Sequence, residues 1–364
     1  EEHTLSEYLE FKNGLNPDAK RIGSGLPFIS VMDILSEGVI NYDNIRGKVN
    51  ATEKEIECFG VKDGDLLFQR SSETLEDVGR ANVYMDNRTA IYGGFVIRGR
   101  KIGNYDPLFF KYLLATPLAR KRTCRMGAGA QHFNIGQEGL SKISLYFPSI
   151  EEQRKIAGFL SLIDERIATQ NKIIEDLKKL KSAIRKKIFS LLKDEYTKSF
   201  EINQLLDYEQ PTAYIVANDE YSTDTRLTPV LTANKGFILG YTDEKNGIYQ
   251  KGACIIFDDF TMDAKYVSFP FKVKSSAIKI LTAKPNVNLR FMFEYLSHWE
   301  LKSEEHKRHY ISEISPLVIE LPSKEKQNII ALLMTSLNNK LTIEEKAKIR
   351  YEVQKGYLLS QMFI

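Results

Sequence analysis

Pro148-Ser149-Ile150-Glu151-Glu152-Gln153 returns 174 residues later (148 to 322) as Pro322-Ser323-Lys324-Glu325-Lys326-Gln327. From there the register holds without a gap to the C-terminus. Ile156 maps to Ile330, Ala157 to Ala331, Ile163 to Leu337, Ile167 to Leu341, Lys181 to Lys355, Ile184 to Leu358 and Phe189 to Phe363. A repeat of this period decides the architecture before any local assignment: one globular module followed by one helix, written twice.

The repeated stretch reads as a long helix. Apolar positions recur at Ile156, Leu160, Ile163, Ile167, Ile174, Leu177, Ile184, Ile188 and Leu191, with Gln170 and Lys181 filling the two gaps. Spacings of four and three alternate throughout, the heptad pattern of a coiled-coil seam. Ser149 stands at the N-cap, Glu151 and Glu152 fall in the first turn, and Arg185, Lys186 and Lys187 lie near the other end, each where the helix dipole favours its charge. From Ser149 to about Lys193 the helix spans about 65 Å. The second copy keeps the seam with more polar interruptions: Ile330, Met334, Leu337, Leu341, Glu344, Lys348, Tyr351, Lys355, Leu358 and Met362. Two helices with matching stripes in one chain are expected to cover each other. Gln170 and Lys181 cost seam stability and help fix register and orientation.

Composition sets the outer bounds. A chain of 364 residues accommodates two or three domains with their own cores. No apolar run approaches the ~18–20 residues needed to cross a bilayer, so no membrane association is expected. The first residues lack a basic and then apolar leader, so no signal peptide is expected, and the absent initiating Met suggests that an N-terminal segment is missing. Cys58, Cys124 and Cys254 are odd in number and far apart, which suits reduced thiols in a cytoplasmic protein rather than a disulfide framework or zinc ribbon. The net charge of +3 decides nothing about nucleic acid.

The segments before each helix, residues 1–147 and 195–321, hold short β-rich runs punctuated by Gly, Asn and Asp. Examples are Asp65-Leu66-Leu67-Phe68, Gly94-Phe95-Val96-Ile97 and Ala253-Cys254-Ile255-Ile256-Phe257. Each also holds one short helical pattern, near residues 108–118 and 289–299. The two segments are weakly alike. Leu26-Pro27-Phe28-Ile29-Ser30 sits like Thr228-Pro229-Val230-Leu231-Thr232, Lys62-Asp63-Gly64-Asp65 like Gln250-Lys251-Gly252-Ala253, and His132-Phe133 like His309-Tyr310. Similar helices carrying diverged globular segments suit a scaffold whose two heads recognise different things.

These features resemble the specificity subunit of type I restriction–modification systems, over essentially the whole chain. The run Phe147-Pro148-Ser149-Ile150-Glu151-Glu152-Gln153-Arg154-Lys155-Ile156-Ala157-Gly158-Phe159-Leu160-Ser161-Leu162-Ile163-Asp164 is similar to the family's central helix. Val61-Lys62-Asp63-Gly64-Asp65-Leu66-Leu67-Phe68-Gln69-Arg70 and Val78-Gly79-Arg80 are similar to its target-recognition domain. The second half departs, with Ala253 in place of Asp65 and Lys326-Gln327-Asn328 in place of Glu152-Gln153-Arg154. The resemblance implies a mixed α/β (α+β) fold: two target-recognition domains separated by an antiparallel two-helix coiled coil, with a pseudo-twofold internal repeat. Residues 1–148 and 195–322 would be the recognition domains, 149–194 and 323–364 the helices. It implies a non-catalytic subunit. Each recognition domain reads one half of a split double-stranded DNA target in the major groove. The helix pair sets the gap and carries two modification subunits, adenine methyltransferases, which restriction subunits join. S-adenosylmethionine, ATP and Mg would be held by those partners, and none by this chain.

The residues themselves agree with a non-catalytic reading. There is no Pro-Pro pair for an amino-methyltransferase motif and no G-x-x-x-x-G-K-[ST] phosphate loop. Gly127-Ala128-Gly129 is too short for a dinucleotide fingerprint and reads as a flexible loop. Pro17-Asp18-Ala19-Lys20 lacks the second acidic element of a nuclease. His306 and His309 lack a third metal ligand and read as a surface pair. The candidate DNA contacts are loop residues: Gln69, Arg70, Ser71, Ser72, Thr74 and Arg80, then Arg120, Lys121, Arg122, Arg125, Gln131, His132 and Asn134. Arg pairs with guanine and Gln with adenine edges, and clustered cations suit phosphates. In the second half the counterparts are Asn234, Lys235, Asp259, Thr261, Lys265, Tyr266, Lys307, Arg308, His309 and Tyr310. Surface loops carry such residues in any protein. Two other functions fit the pattern: a coiled-coil protein-interaction scaffold without DNA binding, and a similar module serving a single-chain methyltransferase–nuclease.

Overall fold

Each long helix starts where the repeated line says it does. The structure, a computed structural model, describes residues 2–192, 198–233, 236–299 and 309–363. The central helix spans Ile150–Leu192 and the C-terminal helix Lys324–Gln361. Ser149 and Glu152 form a reciprocal cap, each backbone N–H bonded to the other's side chain at 3.3 Å. Ser323 accepts from the Lys326 N–H at 3.4 Å, but the Lys326 ammonium is a donor and cannot return the bond.

One turn further in, the same buried amide does the same work twice. Gln153 is 3% exposed and Gln327 1%. The Gln153 Nε2 donates to the Pro148 carbonyl at 3.0 Å and its Oε1 accepts from the Asp106 N–H at 3.0 Å. The Gln327 Nε2 donates to the Pro322 carbonyl at 3.0 Å and its Oε1 accepts from the Asn288 N–H at 2.8 Å. Asp106 and Asn288 are the N-caps of the short helices Pro107–Leu114 and Leu289–His298. One side chain thus ties the long helix, the turn before it and the helix of the globular domain.

The two globular domains repeat one topology. In the first, Glu2–Thr4 pairs antiparallel with Ser144–Tyr146, which leads into the central helix. A four-stranded antiparallel sheet runs Leu9–Asn13, Val96–Lys101, Leu66–Gln69, Ala81–Val83, and a second sheet pairs Ile22–Ile29 in parallel with Ala90–Tyr92. In the second, Lys198–Glu201 pairs with Val318–Leu321. Its sheet runs Leu206–Glu209, Ile278–Ala283, Cys254–Asp258, Ala264–Val267, and Thr228–Leu231 pairs in parallel with Lys272–Val273. The cores match in place: Phe68, Ile97, Phe109 and Phe110 in one, Phe257, Leu281, Phe291 and Met292 in the other. Gly64 and Gly252 both turn at positive φ, +82° and +101°. Asp65, which the second half replaces by Ala253, is buried. It accepts from the Lys62 N–H and pairs with Arg100, so the change removes a structural contact rather than a DNA contact.

By compactness the chain divides into two units, Glu1–Asn171 with Lys346–Ile364, and Lys172–Glu345. Each unit therefore holds a globular domain with one half of each long helix. In the first unit Leu160, Ile163 and Ile167 pack with Tyr351, Leu358 and Leu359. In the second, Ile184, Ile188 and Phe189 pack with Ile330, Met334 and Leu337. In the second unit Lys181 meets Asn338 and Lys178 meets Glu345, later positions on one helix opposing earlier ones on the other, so the helices run antiparallel there. The seam departs from strict heptads at its end: Phe189 and Leu192 are buried and Leu191 exposed. A straight helix drifts about 20° per heptad, and here its neighbours are the rings of Phe291 and Tyr295.

A polar triad sits at equivalent positions of both units. Asp164 takes the Lys355 ammonium at 2.5 Å and the Tyr112 hydroxyl at 2.8 Å. Its repeat partner Asn338 takes the Lys181 ammonium at 2.5 Å and donates to Glu294 at 3.3 Å. Glu294 is fully buried and is balanced by Arg185 at 2.7 Å and Arg290 at 3.4 Å. Arg185 is therefore an internal ion-pair partner, while its neighbours Lys186 and Lys187 are exposed. Burial lowers the pKa of Lys181.

Replacing Gln153 or Gln327 by Leu leaves an N–H and a carbonyl unpaired, partly buried except for the buried Pro322 carbonyl, at up to about 1–3 kcal/mol for each group cut off from water. Denaturant titration is expected to give a loss of stability for each variant. Unchanged midpoints would remove these amides from the account of the fold.

Candidate nucleic-acid interface

In the first domain the two loop clusters named from sequence, some sixty residues apart, come together. Ser71–Ser72 pairs antiparallel with Phe133–Asn134, and the Ile135 N–H bonds the Arg70 carbonyl at 3.0 Å. The Ser71 hydroxyl donates to the Asn134 side chain, whose Nδ2 donates to the His132 carbonyl at 3.2 Å. Ala128 and Asn134 exchange both backbone bonds and close a short hairpin. Gly129 turns there at φ +143°, and a Cβ would lie 2.0 Å from the His132 carbonyl oxygen. The glycine-rich stretch is thus a closed turn with Gln131 and His132 exposed at its tip, rather than a loose loop.

Other predicted residues support this edge from beneath. Gln69 is the last residue of its strand, 5% exposed, and its Nε2 donates to the Ser71 carbonyl at 2.9 Å. It braces the edge and is not presented to a base. Arg70 is half-buried with its guanidinium 3.3 Å from the Gly94 carbonyl. Arg120 donates to the carbonyls of Glu76 and Val78 at 2.8 and 2.6 Å, holding the 74–80 loop, and burial lowers its pKa. Thr74 bonds Asp77, which also pairs with Arg80 at 2.6 Å. Arg122 bonds Glu2 at 2.6 Å and both oxygens of Ser144, stapling the first strand pair. That guanidinium holds the Glu2 carboxyl below its usual range. Arg122 therefore serves the fold, because its guanidinium already meets internal acceptors; Arg120 spends Nη2 on the loop carbonyls, while its Nη1 has no partner. Lys121, Arg125, Gln131, His132, Asn134, Thr74 and Arg80 are exposed, with Ser71 and Ser72 half-buried at the edge.

The second domain builds the same edge with other groups. The His309 N–H bonds the Asp259 carbonyl at 2.9 Å, as Ile135 bonds Arg70. His309 thus takes the place of Ile135, and not that of His132 as the sequence likeness suggested. Asp259, 1% exposed, accepts from the N–H groups of His309 and Tyr310 at 3.1 and 2.8 Å and faces the Lys279 ammonium at 3.3 Å. The Tyr310 ring is buried against Phe257, and burial raises its pKa. The buried His309 bonds Glu313 at 2.8 Å, so it is no surface metal ligand. These three residues form the loop's support, because none reaches the surface. Thr261 is exposed and Lys265 half-exposed, while Tyr266 lies under the Arg290 guanidinium at 4.7 Å. Asn234, Lys235, His306, Lys307 and Arg308 lie outside the described residues.

Sequence reasoning missed Phe95. It is 67% exposed, and its carbonyl accepts the Arg70 N–H at 2.9 Å, which brings an unpaired aromatic ring beside the edge. The signal was an aromatic directly after the Gly93-Gly94 turn, a place where no core demands one. Hydroxyl, amide and imidazole groups at one rim, flanked by ammonium and guanidinium, are the mixture that base edges and phosphates accept. No group of three or more His, Cys, Asp or Glu among the described residues is placed to hold a metal ion, and no described helix is long and apolar enough to cross a membrane.

Comparison with known proteins gives the family and the fold. Residues 1–179 and 194–353 match the family described as the type I restriction modification DNA specificity domain, and the chain belongs to that family. It is 39% identical over 178 residues to the EcoR124I/EcoR124II specificity subunit of Escherichia coli, a match covering 44% of this chain and 43% of that one. The chain thus matches less than half the length of that curated relative. It is 23% identical over 392 residues to the putative MjaX specificity subunit of Methanocaldococcus jannaschii, covering 98% and 91%. The fold is that of the type I system S subunit from M. genitalium, with a TM-score of 0.67 at 15% identity over 100% of this chain and 96% of that one. The family is one of specificity subunits, not of the enzymatic subunits of these systems.

Arg122→Ala is expected to lower the melting temperature while leaving the salt dependence of DNA affinity unchanged. Lys121→Ala with Arg125→Ala is expected to weaken binding to all sequences, the slope of log affinity against log salt falling by about 0.9 for each phosphate no longer neutralised. A slope unchanged in the double variant would take these two cations out of the interface.

Proposed function

We propose that this chain is the DNA-reading subunit of a type I restriction–modification complex, acting in the cytoplasm. Each globular domain, residues 1–148 and 195–322, reads one half of a split target in the major groove. The helices, 149–194 and 323–364, set the gap between the half-sites. The reading rests on one observation above the rest: both domains close the same edge, strand end to distant loop, with the same backbone bond and different side chains. A constant frame with variable edge chemistry is what readers of two different half-sites require. In the first domain the exposed groups Thr74, Gln131, His132 and Asn134 are the candidate base contacts, with Phe95 available to a thymine methyl. Lys121, Arg125 and Arg80 serve the phosphates. In the second domain Thr261 and Lys265 take these roles.

The chain performs no chemistry in this reading. Two modification subunits dock on the helices, and restriction subunits join them; S-adenosylmethionine, ATP and Mg belong to those partners. The apolar side chains left exposed on the helices support docking. Phe159, Leu162, Val353 and Tyr357 stand out in the first unit, and Ile329, Leu332 and Ile343 in the second. A chain solved in work on assembly of the type I restriction–modification system shares the fold, with a TM-score of 0.57.

The test is the methylated-adenine motif in DNA from cells carrying this chain and its modification partner. A split motif is expected, and exchanging residues 1–148 for those of another specificity subunit is expected to change one half of it. A change in both halves, or a continuous motif, would overturn modular reading. Gln131→Ala with Asn134→Ala is expected to relax the first half-site alone, at about 1–3 kcal/mol for each bidentate base pairing removed.

A further inference from the structure

The first unit carries a cleft beside the reading edge, which shares Arg80 and Lys121 with the cations assigned to DNA phosphates. It encloses about 510 Å³ between the turn after Val31–Ile34, the short helix Pro107–Leu114 and the C-terminal helix. Arg80, Lys111, Arg120, Lys121 and Lys355 line it, and among the described residues of the lining Glu76 is the only carboxylate. A neighbouring hollow of about 540 Å³ shares Lys111 and Lys355.

Three cations of this cleft, Lys111, Arg120 and Lys121, make no ion pair among the described residues, although Glu37, Asp164 and Glu352 line the neighbouring hollow. The half-buried Lys111 ammonium bonds a neutral acceptor, the Gly38 carbonyl, at 2.5 Å, and burial pushes its pKa down to about 8. Arg120 spends one nitrogen on the carbonyls of Glu76 and Val78, while its other terminal nitrogen, Nη1, is buried without a partner. Lys121 is exposed at the mouth. Lys355 has Asp164, and Arg80 has Asp77. Withdrawing positive charge from water without a counter-charge is unfavourable, and a bound anion reverses that. The volume is that of a small-molecule site, and several cations facing one space suit an anion with several charged oxygens.

We propose that this cleft binds a phosphate-bearing ligand, its oxygens held by Lys111, Arg120 and Lys121. The group is a free oligophosphate, such as that of a nucleotide, or a backbone phosphate of DNA lying across the mouth. The proposal does not depend on which bases the domain reads.

The test uses the full chain with inorganic tripolyphosphate, by titration calorimetry and thermal shift, with and without a duplex oligonucleotide. Saturable binding of one equivalent and a raised melting temperature are expected. Lys111→Met removes a desolvated charge and is expected to fold; it should weaken binding by about tenfold or more, as should Lys121→Ala at the exposed mouth. Lys142→Ala, which removes a surface lysine paired with Glu138, should change nothing. If duplex DNA displaces tripolyphosphate, the natural occupant is a backbone phosphate; if both bind together, it is a free oligophosphate. Absence of saturable binding, or equal affinity in Lys111→Met, Lys121→Ala and the unmodified chain, overturns the proposal.

Discussion

The arrangement of each half depends on a single buried amide. A glutamine side chain has one donor end and one acceptor end, and Gln153 and Gln327 use both against backbone groups at the junction of helix and domain. The acceptor end holds the N–H of an N-cap residue, Asp106 or Asn288, whose own side chain caps the short helix. The donor end holds the carbonyl of the proline in the turn after the incoming strand. A long helix can swing about a flexible turn. Here the turn, the helix start and the domain are locked within hydrogen-bond distance, so the direction of the long helix is fixed by the domain it leaves. Leucine would fill the space but satisfy neither group, and glutamate would offer no donor.

The triads along the helices act on register in the same way. A purely apolar seam is tolerant of sliding, because one leucine is much like the next. Asp164 with Lys355, and Asn338 with Lys181, meet at one register only. The chemistry differs between units for a visible reason. Tyr112 offers a neutral donor to Asp164, whereas the equivalent Glu294 is already a buried carboxylate and needs Arg185 and Arg290. A second carboxylate at position 338 would crowd negative charge beside Glu294. Asparagine keeps the Lys181 bond and donates to Glu294 instead. The helix sequence has adjusted to the domain it touches, which is why the repeat is imperfect where the halves differ most.

Much of this frame was legible in the sequence. The 174-residue register gave both long helices to within two residues at their starts, and Gln170 and Lys181 marked the polar points of the seam. The edge was legible only as two separate clusters, since no local pattern states that Ser71 will pair with Asn134. Arg120 and Arg122 were unreadable for a different reason. An arginine on an exposed helix looks the same in sequence whether its guanidinium meets water, phosphate or two carbonyls of its own chain, and only the tertiary fold decides. Gln153 shows the converse: its repetition was visible, but its burial was not, because a polar residue in a first helical turn is ordinarily solvated.

The second domain carries the sharpest contrast between residue type and role. Asp258-Asp259 at the end of a strand suggests an acidic rim, which would repel a phosphate backbone. Both side chains point inward. Asp258 accepts from the N–H groups of Phe260 and Thr261 at 2.9 Å and shapes the turn. Asp259 accepts two N–H groups from the His309 segment and faces Lys279. With its charge met by three donors, the carboxylate presents little field to a ligand outside. It performs from below the task that the Ser71–Asn134 bond performs in the first domain, joining strand end to distant loop. The first domain makes that join with neutral groups near the surface, the second with a compensated charge in the interior. The second rim is thereby left free for residues such as Thr261, and the two halves can carry different surface chemistry on one backbone.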